Sequence, residues 1–444
     1  MGSRLSQRLR RDARAIFAGA LADCAPSRLL SSQIRFENGA VIGPDFKLPI
    51  PGRERVLLLA IGKASRSMAG ALLEILPPET VEGVVVLPPR VGKAPAPLVC
   101  LKGDHPVPGA NSFSAGRLLL RKVRAWGPGR PVIHLISGGA SSLAAVPLRP
   151  WVSEGEKSLL HSLLVASGLG IQEVNVVRKH FSGIKGGRLA ARAPGAKHLT
   201  LLLSDVPAGC PEVVGGGPTL PDPSTWQDCL EILKSSGILP ELPGPLRRSL
   251  LRGGWPETPK PEETCFQGLA CRVVADSHTL VEAAARRARR LGYAARALPS
   301  SVEDPSDFFV DRLLAEWERW IAPRDRPRCL LAAGEVRIGR RAKKGRGGRA
   351  QDLATAAALR LDGKRGMLFL AAGSDGVDGN SPAAGAIADG GTVRRARRRR
   401  LDPGRLRESS NTHRLFREPG DCVVTGATGN NLRDLYLLLE APEG

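Results

Sequence analysis

The chain has 444 residues, with 65 Lys and Arg against 43 Asp and Glu, so its formal net charge is +22 at pH 7. Hydrophobic residues make up 42% and charged residues 24% of the chain, which excludes an intrinsically disordered protein and allows more than one hydrophobic core. The 51 Gly and 36 Pro follow no regular period, which excludes a collagen-like fibre.

The excess of positive charge suggests a nucleic-acid partner, and two basic clusters are the candidates. They lie at residues 337–349 and 394–407. Neither contains an aromatic residue on which bases could stack, and no zinc-finger or zipper spacing accompanies them. We therefore expect no specific nucleic-acid partner and interpret the second cluster as an exposed, arginine-rich surface.

The cysteines and the hydropathy pattern indicate the compartment. Eight cysteines are scattered without a CxxC pair, which favours free thiols over a disulfide framework or a zinc site. The segment AIFAGALADCA near the amino terminus is too short for a membrane span and is interpreted as an amphipathic helix. We expect a cytoplasmic protein without a membrane partner, either a monomer or a homodimer.

Short apolar runs alternate with helical segments along the chain, and several end in turns rich in Gly, Ser, Asp or Lys. Such runs, which lack polar alternation, are typical of parallel strands covered on both faces. The pattern predicts two α/β domains, the first a Rossmann-like doubly wound sheet, with ligands at the carboxyl ends of strands. The last apolar segment, LRDLYLLLE, is predicted as a helix.

A stretch rich in Pro and Gly suggests where the domains divide. We predict a first domain at 10–240, a linker at 241–265, and a second region at 266–440 that begins with a strand near Cys271.

The segment ISGGASS at 136–142 places glycines and serines between an apolar run and a helical segment. Glycines let the backbone approach a phosphate, whose oxygens are then bound by N–H groups and hydroxyls. The same composition also occurs in ordinary strand-to-helix turns. The candidate cofactor-binding residues are Ser137, Gly138, Gly139, Ser141 and Ser142.

Cations occur in two further turns. Lys63 follows an apolar run at a strand-to-helix turn, where its ammonium either reaches a phosphate or stays an exposed surface group. Glycines interrupt the basic segment at 175–190, which favours a site for a multiply charged anion over a solvated helix face. The candidate substrate-binding residues are Arg178, Lys185 and Arg188.

Aspartates occupy two other turns. Asp205 ends an apolar run, where it can bind Mg²⁺, accept a proton from a substrate hydroxyl, or cap the turn. The loop GSDGVDG at 373–379 supplies Asp375 and Asp378 as a possible metal or ligand site. The candidate metal ligands are Asp205 and Asp375.

Arg349 lies among glycines in KGRGGRAQD, which suits stabilisation of phosphate charge. The pattern Gly345-x-Gly347-x-x-Ala350 also imitates a dinucleotide fingerprint. That match is weak, because neither a clean buried strand before it nor an acidic residue at the right distance after it is present.

In order along the chain, these motifs resemble a known family. IGKAS, GDHPVPGANSFSAGR, LISGGASSL, VNVVRKHFSGIKGGRLA and LLLSDVPAG resemble the amino-terminal domain of glycerate 2-kinases. GEVRIGRR, KGRGGRAQDLA, AAGSDGVDGNSPAAGAIADGGT and TGATGNNLRDL resemble the MOFRL domain of the same enzymes, at about 328–438. The resemblance extends from about residue 10 to residue 440.

The resemblance implies phosphorylation of D-glycerate by ATP at its 2-hydroxyl, with Mg²⁺, giving 2-phosphoglycerate. It places the catalytic groups of the family on Lys63, Asp205 and Arg349. Ala140 and Ala350 replace a glycine and an asparagine of the family motifs, and SDVPAG lacks the second acid of the family's SDVPGD. Two alternatives are a nicotinamide-dependent hydroxypyruvate reductase and a non-enzymatic anion or nucleic-acid binder.

As a hypothesis, the active site lies in the cleft between the two domains, where the turn at 136–142 and Mg²⁺ hold the ATP phosphates while Lys63 and Arg349 neutralise the transferring group. Asp205 orients or deprotonates the 2-hydroxyl, or binds the metal.

Overall fold

The computed structural model describes residues 2–441 except 53, 90, 207, 208, 300, 301, 322–325, 340–344, 418 and 419. The chain divides into two compact units. The continuous unit is Pro26–Val274, and the discontinuous unit combines Met1–Ala25 with Ala275–Gly444.

A parallel sheet forms the centre of the continuous unit. The strands of this unit are β1 Arg35–Glu37, β2 Ala40–Ile42, β3 Lys47–Pro49, β4 Val56–Ile61, β5 Val81–Leu87, β6 Val99–Lys102, β7 Pro131–Ser137, β8 Lys197–Leu203 and β9 Ala270–Ala275. The main sheet has the order β6-β5-β4-β7-β8-β9, and β1 to β3 form a small antiparallel sheet. β4, β7 and β8 are buried almost throughout, as their unbroken Val, Leu and Ile runs predict.

Helices directly follow β4, β6 and β7 of the main sheet, as in a doubly wound fold. The helices of this unit are α2 Pro26–Gln33, α3 Ser65–Leu73, α4 Ala110–Arg124, α5 Ala140–Leu143, α6 Glu154–Ala166, α7 Ile171–His180, α8 Trp226–Ser235, α9 Ile238–Glu241 and α10 Gly244–Arg252. Short 3₁₀ segments occur at Pro78–Thr80, Ala190–Arg192, Pro211–Gly216 and Thr264–Phe266. The predicted α/β class of this part of the chain is confirmed.

The segment at 241–265, predicted as a linker, is packed into the continuous unit. It contains all of α10, and Leu242, Leu246, Leu250 and Trp255 lie in one hydrophobic core with residues of α6, α7 and α8. The following strand, β9, then takes the edge of the main sheet. Pro and Gly mark the turns of this segment, but its leucines and tryptophan are apolar enough to bury, so the chain leaves the unit later than predicted.

The discontinuous unit is built on a second, mixed sheet. Its strands are β10 Ala294–Ala297, β11 Arg328–Gly334, β12 Met367–Gly373, β13 Gly385–Asp389, β14 Cys422–Val423 and β15 Asp434–Glu440. They have the order β10-β11-β15-β12-β13-β14. β10 and β11 are parallel, and the remaining neighbours are antiparallel.

The helices of this unit include the amino terminus of the chain. They are α1 Gly2–Asp23, α11 Ser277–Arg290, α12 Ser306–Arg319, α13 Arg349–Arg360, α14 Thr392–Arg398, α15 Pro403–Glu408 and α16 Thr412–Arg417. The amphipathic helix predicted near the amino terminus is confirmed as part of α1, with Ile16 and Phe17 buried. Its Asp12 accepts a hydrogen bond from the Tyr293 hydroxyl at 3.0 Å, so α1 packs in the discontinuous unit rather than in the first predicted domain.

The prediction of a final helix at LRDLYLLLE is wrong, because β15 is a strand at the centre of the second sheet. It pairs with β11 on one side and β12 on the other. Every residue of β15 except Glu440 is buried. A run that is apolar on all sides has no periodicity that separates a buried strand from a buried helix.

The basic cluster at 394–407 is only partly an exposed surface. Arg394 and Arg398 are exposed, but Arg395 donates to both Asp389 and Asp421. Arg407 is 8% exposed and donates to carboxylates of α12 and α13. The prediction of a solvated face is therefore wrong for these two arginines. Residues 340–344 of the other cluster lie outside the described residues.

Among the described residues, no helix combines the length and the apolar character that crossing a membrane requires.

Candidate active site

Three neighbouring strands of the continuous unit end at the same edge of the main sheet. β7 pairs in parallel with β4 on one side and with β8 on the other. Lys63 lies two residues beyond β4, the turn at 137–142 continues from β7, and Asp205 lies two residues beyond β8. The fold therefore brings three sequence-predicted site segments to one edge, where ligands of open parallel sheets bind.

The turns after β4 and β7 are joined by close backbone contacts. The Ala64 N–H donates to Ser137 Oγ at 3.0 Å, and the Lys63 N–H donates to the Gly138 carbonyl at 2.9 Å. Gly62 has φ +132°, and a Cβ there would lie 2.1 Å from Ser137 Oγ. Ser137, predicted to bind the cofactor, is fully buried and holds the Lys63 turn in place.

Gly139 gives the Lys63 side chain room beside the turn. It adopts a left-handed conformation with φ 82° and precedes α5. A Cβ at Gly139 would lie 3.2 Å from Lys63 Cγ and 3.5 Å from His105 Cδ2. The structure thus adds His105 to the surroundings of Lys63, although sequence reasoning did not select it.

Ser141 and Ser142 have different environments. Ser142 Oγ donates to the Pro106 carbonyl at 2.6 Å. Ser141 Oγ is buried and has no hydrogen-bond partner in the described part of the chain. The Ser141 carbonyl accepts a hydrogen bond from Lys185 Nζ at 2.7 Å. Of the two hydroxyls, that of Ser141 has bonding capacity left for a ligand.

A buried cluster of cations lies against this turn. Lys157 Nζ donates to the Arg178 carbonyl at 3.1 Å, and Arg178 Nη2 lies 3.4 Å from His161 Nε2. Of the predicted substrate-binding residues, Lys185 donates directly to the Ser141 carbonyl, and Arg178 is linked to the turn through His161, whose Nε2 lies 3.5 Å from Ser142 Oγ. The structure shows no carboxylate paired with Lys157, Arg178 or Lys185 among the residues it describes.

The electrostatics of the cluster favour a bound anion. Burial, with a further contribution from Arg178, lowers the pKa of Lys185 to about 7. Burial and the neighbouring cations also lower the pKa of Lys157 well below its usual value. The pKa of His161 falls to about 2 for the same reasons, so its imidazole is neutral. A bound anion would supply a negative charge beside these groups and so favour their protonated forms.

Arg188, the third predicted substrate-binding residue, is occupied by main-chain contacts. Its guanidinium donates to the carbonyls of Lys179 and Ser182, both at 2.9 Å. It also donates to the carbonyls of Pro256 and Glu257, both at 3.1 Å. These bonds tie the loop after α7 to the segment after α10, so the structure gives Arg188 a structural position.

Two residues of the cationic cluster escaped the sequence analysis. Lys157 and His161 are four residues apart on α6, on the face that also buries Leu160 and Leu164. A lysine and a histidine on the apolar stripe of a helix are the signal that could have found them.

Arg349 belongs to the discontinuous unit, where it is the first residue of α13. Its Nη1 donates to Glu335 Oε2 at 2.7 Å, and 44% of its side chain is exposed. Asp378 accepts the N–H groups of Ala350 and Gln351 at 3.0 and 2.9 Å and so caps α13. The sequence suggests Asp378 as a ligand group, but in the structure its carboxylate accepts the hydrogen bonds that begin this helix.

Asp375, which is half-buried, lies near the buried carboxylate of Asp434. A Cβ at Gly373 would lie 3.3 Å from Asp375 Oδ1 and 3.2 Å from Asp434 Oδ1. Burial raises the pKa of Asp434 to about 7, with Arg349 opposing this shift and Glu335 adding to it. No group of three or more His, Cys, Asp or Glu that could hold a metal occurs among the described residues. The metal roles of Asp205 and Asp375 stay predictions.

Two family models match the chain. The model described as "Domain of unknown function (DUF4147)" matches residues 12–251, and the model described as "MOFRL family" matches residues 328–434.

Relatives match along most of their length. The chain is 34% identical to the D-glycerate 2-kinase of Thermotoga maritima, across 88% of this chain and 92% of that one. It is 35% identical to a protein of Agrobacterium vitis named "Putative hydroxypyruvate reductase", across 88% and 89%. The crystal structure of the Thermotoga maritima glycerate kinase matches with a TM-score of 0.80 at 30% identity, covering 98% of this chain and 100% of that one.

The fold and these similarities define an enzyme of the phosphotransferase class that acts on an alcohol group. The chain belongs to the glycerate 2-kinase family, which confirms the resemblance seen in its motifs.

Proposed function

We propose that this protein is an ATP-dependent glycerate 2-kinase that transfers the γ-phosphoryl group of ATP to the 2-hydroxyl of D-glycerate. The observation that carries the proposal is the edge of the main sheet, where Lys63, the glycine turn after β7 and Asp205 follow adjacent strands. The products are ADP and 2-phosphoglycerate, and the hydroxyl proton leaves to a base or to solvent.

Phosphoryl transfer depends chiefly on positioning and on neutralising the charge of the transferring group. Lys63 supplies a point charge beside the turn, and Gly139 lets its side chain lie close to the backbone there. Asp205, half-buried at the same edge, orients the 2-hydroxyl or accepts its proton. The family resemblance assigns Arg349, in the discontinuous unit, the role of a second cation.

The acidic substrate and the nucleotide both bring oxyanions to this site. Arg178 and Lys185 are the cations best placed to bind one of them, because Lys185 donates to the Ser141 carbonyl and Arg178 lies beside His161 with its buried Nε unpaired among the described residues. Arg188 supports the loop that carries Lys185 through its four carbonyl contacts.

Mg²⁺ fits a site with few protein ligands, because this ion usually keeps several waters and binds one or two carboxylates together with substrate phosphates. Asp205 is the candidate ligand in the continuous unit, and Asp375 is the candidate ligand in the discontinuous unit. When bound, the ion supplies charge neutralisation at the phosphates.

The reductase alternative needs a nicotinamide site, and the glycines that imitate one have a packing role. A Cβ at Gly345 would lie 2.4 Å from the Ser410 carbonyl carbon, and one at Gly347 would lie 2.2 Å from Thr412 Oγ1. Close approach to the start of α16 and the residues just before it therefore accounts for these glycines, and no cofactor is required to explain them.

The test is a steady-state assay with ATP, MgCl₂ and D-glycerate, run beside a second assay with NADH or NADPH and hydroxypyruvate. We expect ADP release that depends on D-glycerate and no consumption of reduced nicotinamide. Lys63→Met is expected to lower kcat about 10²- to 10³-fold. Lys234→Met, an exposed lysine of α8, is the matched control and should keep the wild-type kcat.

Nicotinamide oxidation without ADP release would overturn the proposal. Wild-type kcat in a folded Lys63→Met variant would overturn the role of this lysine.

A further inference from the structure

Helix α6 holds Arg178 at two points. Lys157 Nζ donates to its main-chain carbonyl at 3.1 Å, and His161 Nε2 lies 3.4 Å from its Nη2. Lys157 and His161 are one helical turn apart, so the two contacts are made by the same face of α6. The main chain and the guanidinium of Arg178 are therefore both fixed by one helix.

His161 has the protonation state that suits a cationic neighbour. Burial, followed by Arg178, Lys185 and Lys157, keeps its imidazole neutral. A neutral imidazole has one nitrogen that accepts, and the position of Nε2 beside the guanidinium N–H assigns that role to Nε2. Ser142 Oγ lies 3.5 Å from the same nitrogen, which places the imidazole between Arg178 and the turn after β7.

Two donors in this region have unused capacity. Arg178 Nε and Ser141 Oγ are buried and have no hydrogen-bond partner among the described residues. Unpaired buried donors are costly and rare, and those found in a native structure often bind a ligand or an ordered water. Arg178 belongs to a cluster of cations that has no carboxylate partner in the described structure, and Ser141 accepts a hydrogen bond from Lys185 of the same cluster. An oxyanion is therefore the ligand that fits.

We propose that Lys157 and His161 are positioning residues that orient Arg178 and, with Ser141 and Lys185, complete a buried pocket for the carboxylate or phosphate group of a substrate. The identity of the substrates rests on the proposed function. The pocket itself rests on the contacts of α6 with Arg178. D-Glycerate offers a carboxylate and ATP offers phosphates, so the same chemistry has two sources.

The experiment measures KM and kcat for each substrate, together with the Kd of D-glycerate and of ATP, each alone, by titration calorimetry. His161→Leu removes the acceptor, whereas His161→Gln retains a carbonyl oxygen near the Nε2 position. We expect His161→Leu to raise the Kd and KM of one substrate about 10- to 100-fold and to leave those of the other within about 2-fold. His161→Gln should restore the affected constants to within a few-fold of wild type. The substrate that loses affinity identifies the oxyanion.

Arg178→Lys provides a second variant that keeps the charge and removes the planar guanidinium. It should weaken the same substrate as His161→Leu does, and this comparison decides the matter if His161→Leu fails to fold. Unchanged constants in the folded variants, or equal losses for both substrates that glutamine does not restore, would overturn the pocket.

The two proposals can fail separately. A chain that phosphorylates D-glycerate with the same constants in all these variants retains the kinase function and loses the pocket. A chain without kinase activity whose binding of D-glycerate or ATP weakens in His161→Leu and Arg178→Lys retains the pocket and loses the kinase function.

Discussion

The hydroxyl oxygen of Ser137 accepts a hydrogen bond from the main-chain N–H of Ala64 at 3.0 Å. Ser137 is the last residue of β7, and Ala64 lies in the turn after β4. Lys63 lies between the end of β4 and Ala64, so its position is set by β7 as well as by β4. Buried polar contacts of this kind fix the backbone because leaving the N–H unpaired would be costly.

The glycine before Lys63 is expected to be essential for this arrangement. In Gly62→Ala the new Cβ would lie 2.1 Å from Ser137 Oγ and 2.6 Å from its carbonyl oxygen, at a φ of +132° that alanine rarely adopts. We expect the free energy of unfolding to fall by about 3 kcal/mol in urea titrations. Gly70→Ala in α3 is the control, because nothing lies within 4 Å of its added Cβ and alanine favours a helix. Equal stability of the two variants would contradict the close contact.

Arg188 is expected to act on stability. Arg188→Ala leaves four main-chain carbonyls without their donor, so we expect the free energy of unfolding to fall by about 3 kcal/mol. Chemical denaturation measures this loss. Arg192→Ala, at an exposed position in the same loop, should change it by less than about 0.5 kcal/mol. A stable Arg188→Ala enzyme with a selectively raised KM for D-glycerate would return Arg188 to the role of substrate ligand.

The buried amine of Lys185 is expected to make stability depend on pH. Its pKa is about 7 in the folded chain and near the usual 10.5 when unfolded, so the unfolded chain binds more protons between these values. Stability of the ligand-free protein should therefore rise as the pH increases from about 7 towards 10. Lys185→Met removes this contribution. Between pH 7 and pH 9 the wild type should gain on the order of 2 kcal/mol relative to Lys185→Met in urea unfolding. Parallel pH profiles for the two proteins would refute the assignment.

Arg407 is expected to stabilise the discontinuous unit. It is 8% exposed and donates to Asp307 at 2.7 Å and to Asp352 at 3.2 Å. Arg407→Ala removes the guanidinium that donates to the buried carboxylate of Asp352, and we expect a loss of about 3 kcal/mol in the free energy of unfolding. Arg398→Ala, at an exposed position of α14, serves as the comparison and should stay within about 0.5 kcal/mol of wild type. Similar losses in the two variants would show that the buried ion pairs contribute nothing special.

The main sheet was accessible from sequence because its strands are continuous apolar runs that end in glycine-rich turns. The same criterion failed for β15, whose residues from Leu435 to Leu439 are all buried. In the sheet this strand lies between β11 and β12. A helix and a doubly covered strand have the same composition when every position is apolar. Only the pairing with neighbouring strands distinguishes them.

The candidate site was partly accessible for a related reason. Lys63 and Asp205 lie directly after strands, so their positions along the sequence place them at the sheet edge. Lys157 and His161 reach Arg178 through the packing of α6 against α7, which no local spacing reveals. Conversely, Ser137 has the residue type expected of a ligand group, but burial commits its side chain to the backbone.

The proposed glycerate 2-kinase activity is tested most directly by identifying the product formed from ATP, MgCl₂ and D-glycerate by proton-coupled ³¹P NMR. We predict one new phosphomonoester whose phosphorus couples to the single proton on C2, which identifies 2-phosphoglycerate. Two results would contradict phosphorylation at the 2-hydroxyl. One is coupling to the two protons on C3, which identifies 3-phosphoglycerate, and the other is the absence of any phosphorylated glycerate.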